Sequence, residues 1–167
     1  VGDFDNDHDV DLFVTHLRLE SNTLYVREAA LGFRDGTARA GLHTASVPLT
    51  GFGTTFIDYD LDGDLDLFVA NGRVTRGATL KNSPRSSFWG RYAEPNQLFR
   101  NDDGTFVDVS GALGASHLNA VSRSSVVADV DDDGDPDLLV NSTGTGIRLL
   151  RNSTESSKRW IKLAHPS

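Results

Sequence analysis

Apolar residues fall in short runs rather than at helical spacing. Leu12-Phe13-Val14, Leu67-Phe68-Val69 and Leu138-Leu139-Val140 each follow a dense polar cluster. Runs of that length, bounded by turn residues, read as strands. The clearest unit begins at Gly51-Phe-Gly-Thr-Thr-Phe-Ile57, whose aromatic and β-branched residues run into a polar loop. Asp66-Leu-Phe-Val-Ala70 leaves that loop, so the two predict a β-hairpin. Gln97-Leu-Phe-Arg100 predicts a third strand, Asn101-Asp-Asp-Gly104 a glycine-containing turn, and Thr105-Phe-Val-Asp-Val109 a fourth strand. Helical periodicity is weak throughout, and its best candidate is a single turn near Val26 to Leu31.

The polar clusters themselves repeat. They read Asp3-Phe-Asp-Asn-Asp-His-Asp-Val-Asp11, Asp58-Tyr-Asp-Leu-Asp-Gly-Asp-Leu-Asp66 and Asp129-Val-Asp-Asp-Asp-Gly-Asp-Pro-Asp137. Carboxylates stand at positions 1, 3, 5, 7 and 9, with Gly63, Gly134 or His8 at position 6. A second motif follows each loop: Asn22-Thr-Leu-Tyr25 with Gly32-Phe-Arg-Asp35, Asn96-Gln-Leu-Phe99 with Gly104-Thr-Phe-Val-Asp108, and a shorter Ile147-Arg-Leu-Leu150-Arg-Asn152. The loops begin at residues 3, 58 and 129, a period of about 55 to 71 residues. Four short strands per repeat of that length predict an all-β fold, a partial β-propeller of four-stranded antiparallel blades with an Asp-rich loop at each hairpin tip.

Charge sharpens this picture. The net charge is −8, and the three loops hold 16 of the 24 acidic residues. The remaining 8 acids face 16 Lys and Arg, so the acidity belongs to the loops. No continuous basic stripe favours a nucleic-acid partner, and no apolar run approaches the roughly 18 residues of a membrane helix. The absence of Cys excludes disulfides and thiolate metal sites. Val1 opens almost directly on the first loop, without a signal peptide or methionine, so a processed chain or a fragment is expected.

Alternate carboxylates on a tight loop suit a hard cation that takes six to eight oxygen ligands. The candidate calcium ligands are Asp3, Asp5, Asp7, Asp9 and Asp11; Asp58, Asp60, Asp62, Asp64 and Asp66; and Asp129, Asp131, Asp133, Asp135 and Asp137. Positions 1, 3, 5 and 9 are expected to give carboxylates and position 7 its carbonyl. Glycine at position 6 fits a turn needing positive φ, which His8 adopts only at a cost. An EF-hand would need Glu at position 12 and flanking helices, whereas Val14, Val69 and Val140 stand there inside predicted strands. Magnesium prefers several waters to a carboxylate cage. A two-metal hydrolase would need ions about 4 Å apart, and these loops lie on separate hairpins.

The loops resemble those of FG-GAP/VCBS repeats, the calcium hairpins of integrin-α-like propellers. More closely, the chain resembles the ASPIC/UnbV (cartilage acidic protein-like) family. Gly51 to Gly72, Glu94-Pro-Asn-Gln-Leu-Phe-Arg-Asn101, Ser122-Arg-Ser-Ser, Asp129 to Asn141, Leu149-Leu-Arg-Asn152 and Arg159-Trp-Ile-Lys-Leu163 carry the likeness. It implies three calcium sites, an extracellular or cell-envelope binding role, and no family-wide catalytic activity. It also divides the chain into FG-GAP/VCBS repeats over 1–152, about two to three blades of an incomplete ring, and the start of a following segment over 153–167. His8 in place of Gly, the extra Asp132, Pro136 and the small blade count depart from the pattern.

Other chemistry is poorly supported. The histidines show no zinc spacing, no G-x-S-x-G elbow or P-loop occurs, and Asn141 and Asn152 open common glycosylation sequons. The long connection Arg73 to Pro95 carries arginines and the aromatics Phe88, Trp89 and Tyr92. It reads either as a partner surface or as a crossing loop whose aromatics pack on the blade beneath. The expected function is a non-enzymatic, calcium-stabilised module for adhesion or for binding a protein or glycan. The alternative is an accessory propeller of a secreted enzyme such as a glycan hydrolase or lyase. Open blades at the ends are expected to pair with missing repeats or with other copies.

Overall fold

The computed structural model describes residues 1–28, 32–80, 88–114 and 119–154. In chain order the strands are β1 (Leu12–Val14), β2 (Thr23–Glu28), β3 (Gly32–Asp35), β4 (Gly51–Ile57), β5 (Asp66–Asn71), β6 (Glu94–Pro95), β7 (Gln97–Asp102), β8 (Thr105–Asp108), β9 (Asn119–Ala120), β10 (Ser122–Ala128), β11 (Asp137–Ser142) and β12 (Gly146–Leu150). A four-residue helix, His43–Ser46, lies between β3 and β4. The predicted turn at Val26 to Leu31 does not form as such. Val26, Arg27 and Glu28 are β2 residues paired with Arg34, Phe33 and Gly32, and 29–31 lie outside the described residues. The apolar Leu24 and Val26 of β2 are buried on one face, so the pattern there has period two.

The strands form three blades. The middle one is complete, with order β4-β5-β7-β8, all antiparallel. Blade 1 is β1-β2-β3 and blade 3 is β10-β11-β12. Among the described residues, blade 1 has no counterpart of β4 and blade 3 none of β8. The pair β6-β9 joins the segment leading into β7 to the segment leading into β10.

The core sits between the blades. All six residues of β5 are buried. Leu67 and Val69 join Phe4, Phe13, Leu24 and Phe99 on the blade 1 side, while Phe68 and Ala70 join Ile57, Leu98, Leu138 and Val140 on the blade 3 side. A strand covered on both faces reads as a continuous apolar run, which is why Leu67 to Ala70 lacks alternation. The outward faces of the end blades stay open: Val14, Val126 and Ile147 are exposed.

Inner strands β4 and β10 approach closely. A Cβ on Gly53 would lie 2.5 Å from Ser124 Cα, and Thr55 Oγ1 meets Ser125 Oγ at 2.6 Å. Gly53→Ala therefore pushes two backbones apart. Overpacking of this kind costs about 1–3 kcal/mol. Thermal unfolding should show a melting temperature lowered by about 2–12 °C, and an unchanged value would contradict this packing.

Candidate metal centres

Each Asp loop is a compact turn stapled by its own carboxylates, and the three copies repeat one hydrogen-bond scheme. The position 1 carboxylate accepts the N–H groups of positions 5 and 6. These are Asp7 and His8 on Asp3, Asp62 and Gly63 on Asp58, and Asp133 and Gly134 on Asp129, all between 3.0 and 3.2 Å. The position 5 carboxylate accepts the position 7 N–H at 2.8–3.0 Å. Position 6 has positive φ in every copy, at 72° for His8, 101° for Gly63 and 94° for Gly134. His8 therefore takes the glycine conformation with the loop intact. Position 4 is left-handed as well, at 56° in Asn6, 61° in Leu61 and 63° in Asp132, which the sequence pattern had not singled out.

Position 9 does a second job. Asp11, Asp66 and Asp137 are buried. One oxygen of each accepts the position 2 N–H, from Phe4 (3.2 Å), Tyr59 (2.9 Å) and Val130 (3.0 Å). The other accepts an N–H from the strand beyond, from Arg27, Asn101 and Asn152, each at 2.8 Å. The carboxylate thus ties the loop to β2 in blade 1, to β7 in the middle blade, and to the residues just past β12 in blade 3.

The asparagines add a link between blades. Asn101 Nδ2 donates to Phe4 O (2.7 Å) in loop 1 and to Leu65 O (3.1 Å) in its own blade. Asn152 Nδ2 donates to Tyr59 O (2.8 Å) in loop 2. Their repeated context, Leu-Phe-Arg-Asn101 and Leu-Leu-Arg-Asn152, was visible in the sequence, but their role in joining neighbours was not.

The loops bring together Asp3, Asp5 and Asp11; Asp58, Asp60 and Asp62; and Asp129, Asp131 and Asp137, with ligand oxygens in each set within 4.8 Å of one another. Asp7, Asp66 and Asp133 stand outside these triads, as do the position 7 side chains Asp9, Asp64 and Asp135. Asp64 instead accepts Asn6 Nδ2 at 2.8 Å, joining loops 1 and 2. Asp60 Oδ1 is buried without a hydrogen-bond partner, the condition of an oxygen suited to a cation. A hard divalent ion fits this all-oxygen donor set.

The crowding has an electrostatic cost. Burial first, then the neighbouring carboxylates, push Asp5 and Asp60 above the ordinary Asp range. Burial lifts Asp66 to about 7 despite the N–H bonds from Asn101 and Tyr59 that oppose it. Asp11, Asp131 and Asp135 shift upward too, each mainly by burial. Loop 3 carries its own counter-ion: Arg151 Nη2 touches Asp131 and lies 3.8 Å from Asp133. The matching Arg100 of the middle blade turns to Asp102 instead, at 2.6 and 2.8 Å.

Three stacked antiparallel blades with acidic hairpin tips define a β-propeller-type repeat protein. Residues 3–69 and 87–140 match the FG-GAP-like repeat family, and the chain belongs to it. It is also similar to human cartilage acidic protein 1, 29% identical over 111 residues, which cover 65% of this chain and 17% of that protein. The chain thus spans well under a fifth of that relative's length.

Two outcomes follow from the buried carboxylates. Asp66→Ala orphans two backbone N–H groups, each costing roughly 1–3 kcal/mol when buried. Denaturant unfolding in EDTA should show a loss of about 2–6 kcal/mol, whereas Asp9→Ala, at a half-buried position outside the converging triads, should stay within about 0.5 kcal/mol. The second concerns pH. A carboxyl raised in the folded state holds its proton more tightly than in the unfolded chain, so stability falls as pH rises from about 4 to 7. Asp35 and Asp102 shift downward, through hydrogen bonds from Thr37 and Arg100, but are outnumbered. With divalent ions chelated, melting temperature should decline across that window, and a rise would contradict the assignment.

Proposed function

We propose that this chain is a calcium-binding β-propeller segment of an extracellular or cell-envelope protein, serving adhesion or the binding of a protein or glycan. The observation that carries the reading is the repeat of one loop geometry three times, with converging carboxylates and the orphaned Asp60 oxygen. Positions 1, 3, 5 and 9 of each loop supply carboxylates to calcium, and position 7 its carbonyl. The bound cation offsets the mutual repulsion of the carboxylates and holds the hairpin tip. The sites are structural, and the module binds rather than catalyses. Repeats occupy 1–152, and 153–167 begin a following segment. The exposed apolar residues of the end blades suit further repeats stacked on either side.

The proposed extracellular setting suits this ion. At a dissociation constant of about 0.1 mM and about 1 mM calcium, each site contributes about 1.4 kcal/mol. Such sites fill outside cells and stay empty at cytosolic calcium. Three sites should raise the melting temperature by roughly 8–17 °C on addition of 1 mM calcium to EDTA-treated protein. A melting temperature indifferent to calcium and EDTA would refute the proposal.

A further inference from the structure

The connection from β5 to β6 lies at the opposite end of the blades from the Asp loops, because β5 runs from Asp66 at the loop to Asn71. It is firmly built. Arg73 N donates to Tyr92 O and Gly77 N to Arg91 O, both at 2.8 Å. At its root Glu94 is 1% exposed, its carboxylate accepting Thr50 N (2.9 Å) and Arg73 Nε (3.2 Å). On this base Phe88, Trp89 and Tyr92 form one cluster, with ring centroids 4.8, 5.7 and 6.1 Å apart. Trp89 packs against the β11–β12 turn, where a Cβ on Gly144 would lie 2.4 Å from its ring. The Arg76 guanidinium stands 5.7 Å over the Phe88 ring and its Nε donates to Tyr92 Oη at 3.1 Å.

Part of this cluster faces solvent. Phe88 is 50% exposed, and Arg76 and Arg91 are exposed. Among the described residues neither arginine forms an ion pair with a carboxylate. This end is therefore locally cationic on a chain of net charge −8. A stable protein interface needs about 800 Å² per partner around an apolar centre. Here Val74 and Phe88 alone among the described residues of the connection are exposed large apolar side chains. One half-exposed ring with the Arg76 guanidinium beside it, and the exposed Arg91 three residues further along the same turn, matches something smaller: an acidic sugar unit, its apolar face on the free side of the ring and its anionic group on an arginine.

The geometry points to a platform for an acidic polysaccharide, bearing uronate or sulfate, formed by Arg76, Phe88, Arg91 and Tyr92. This deepens the reading of the chain as an extracellular binding module and rests on it. The test is calorimetric titration of the full, calcium-saturated chain with heparin and with hyaluronan, using dextran as the neutral probe and poly-glutamate as the acidic peptide. At least one acidic polysaccharide should bind, dextran should not, and added salt should weaken the binding. Phe88→Ala and the double variant Arg76→Gln/Arg91→Gln should each weaken it tenfold or more while keeping the wild-type calcium response in melting. Silence of both acidic polysaccharides, an unaffected Phe88→Ala, or equal binding of dextran would overturn the platform. Poly-glutamate binding as tightly as the polysaccharides would overturn it in favour of an acidic protein partner. A normal calcium response without polysaccharide binding refutes the platform alone, whereas a missing calcium response refutes the underlying module.

Discussion

Asp11, Asp66 and Asp137 each hold two backbone N–H groups from segments far apart in the chain, with both oxygens out of water. A carboxylate buried in this way is costly, because desolvation disfavours the charge that the N–H bonds favour. The further carboxylates of each loop add to this cost instead of neutralising it. Among the described residues, loop 3 alone forms an ion pair with a side-chain cation, Arg151. The clustered oxygens suit a hard cation that meets several of them together.

The same residues couple the tips to the stack. The position 2 carbonyls of loops 1 and 2 accept an asparagine amide from the next blade, and Phe4 stacks on Phe106 of β8 at 5.8 Å. A tip that loses its shape would therefore loosen the adjoining blade as well as its own hairpin. Repeat proteins are held by such nearest-neighbour contacts. The middle blade, covered on both sides, shows what each end blade needs: Leu67 and Phe68 are fully buried, while Val14 and Ile147 are open.

The two ends of the blades carry opposite chemistry. The loop end concentrates carboxylates in candidate cation sites, and the far end presents arginines and aromatic rings on a connection anchored by a buried Glu94. The sequence left that connection between a partner surface and a packed crossing loop. The structure divides it by residue: Trp89 packs on blade 3 and Phe88 faces solvent.

The sequence alone determined the repeat, the strands of the middle unit to within two residues, the hairpin tips and the candidate carboxylates. These are legible because strand periodicity and turn chemistry are local, and because a pattern written three times outweighs chance. It misplaced a turn at Val26 because a short apolar run does not distinguish a turn from a strand until its partner, Gly32–Asp35, is known. Only the tertiary structure decided which carboxylates converge, that position 9 ties loop to strand, that Asn101 and Asn152 join neighbouring blades, and that Arg151 reaches into loop 3. Each of these depends on groups brought together across blades or across a hairpin, and no spacing along the chain encodes that distance.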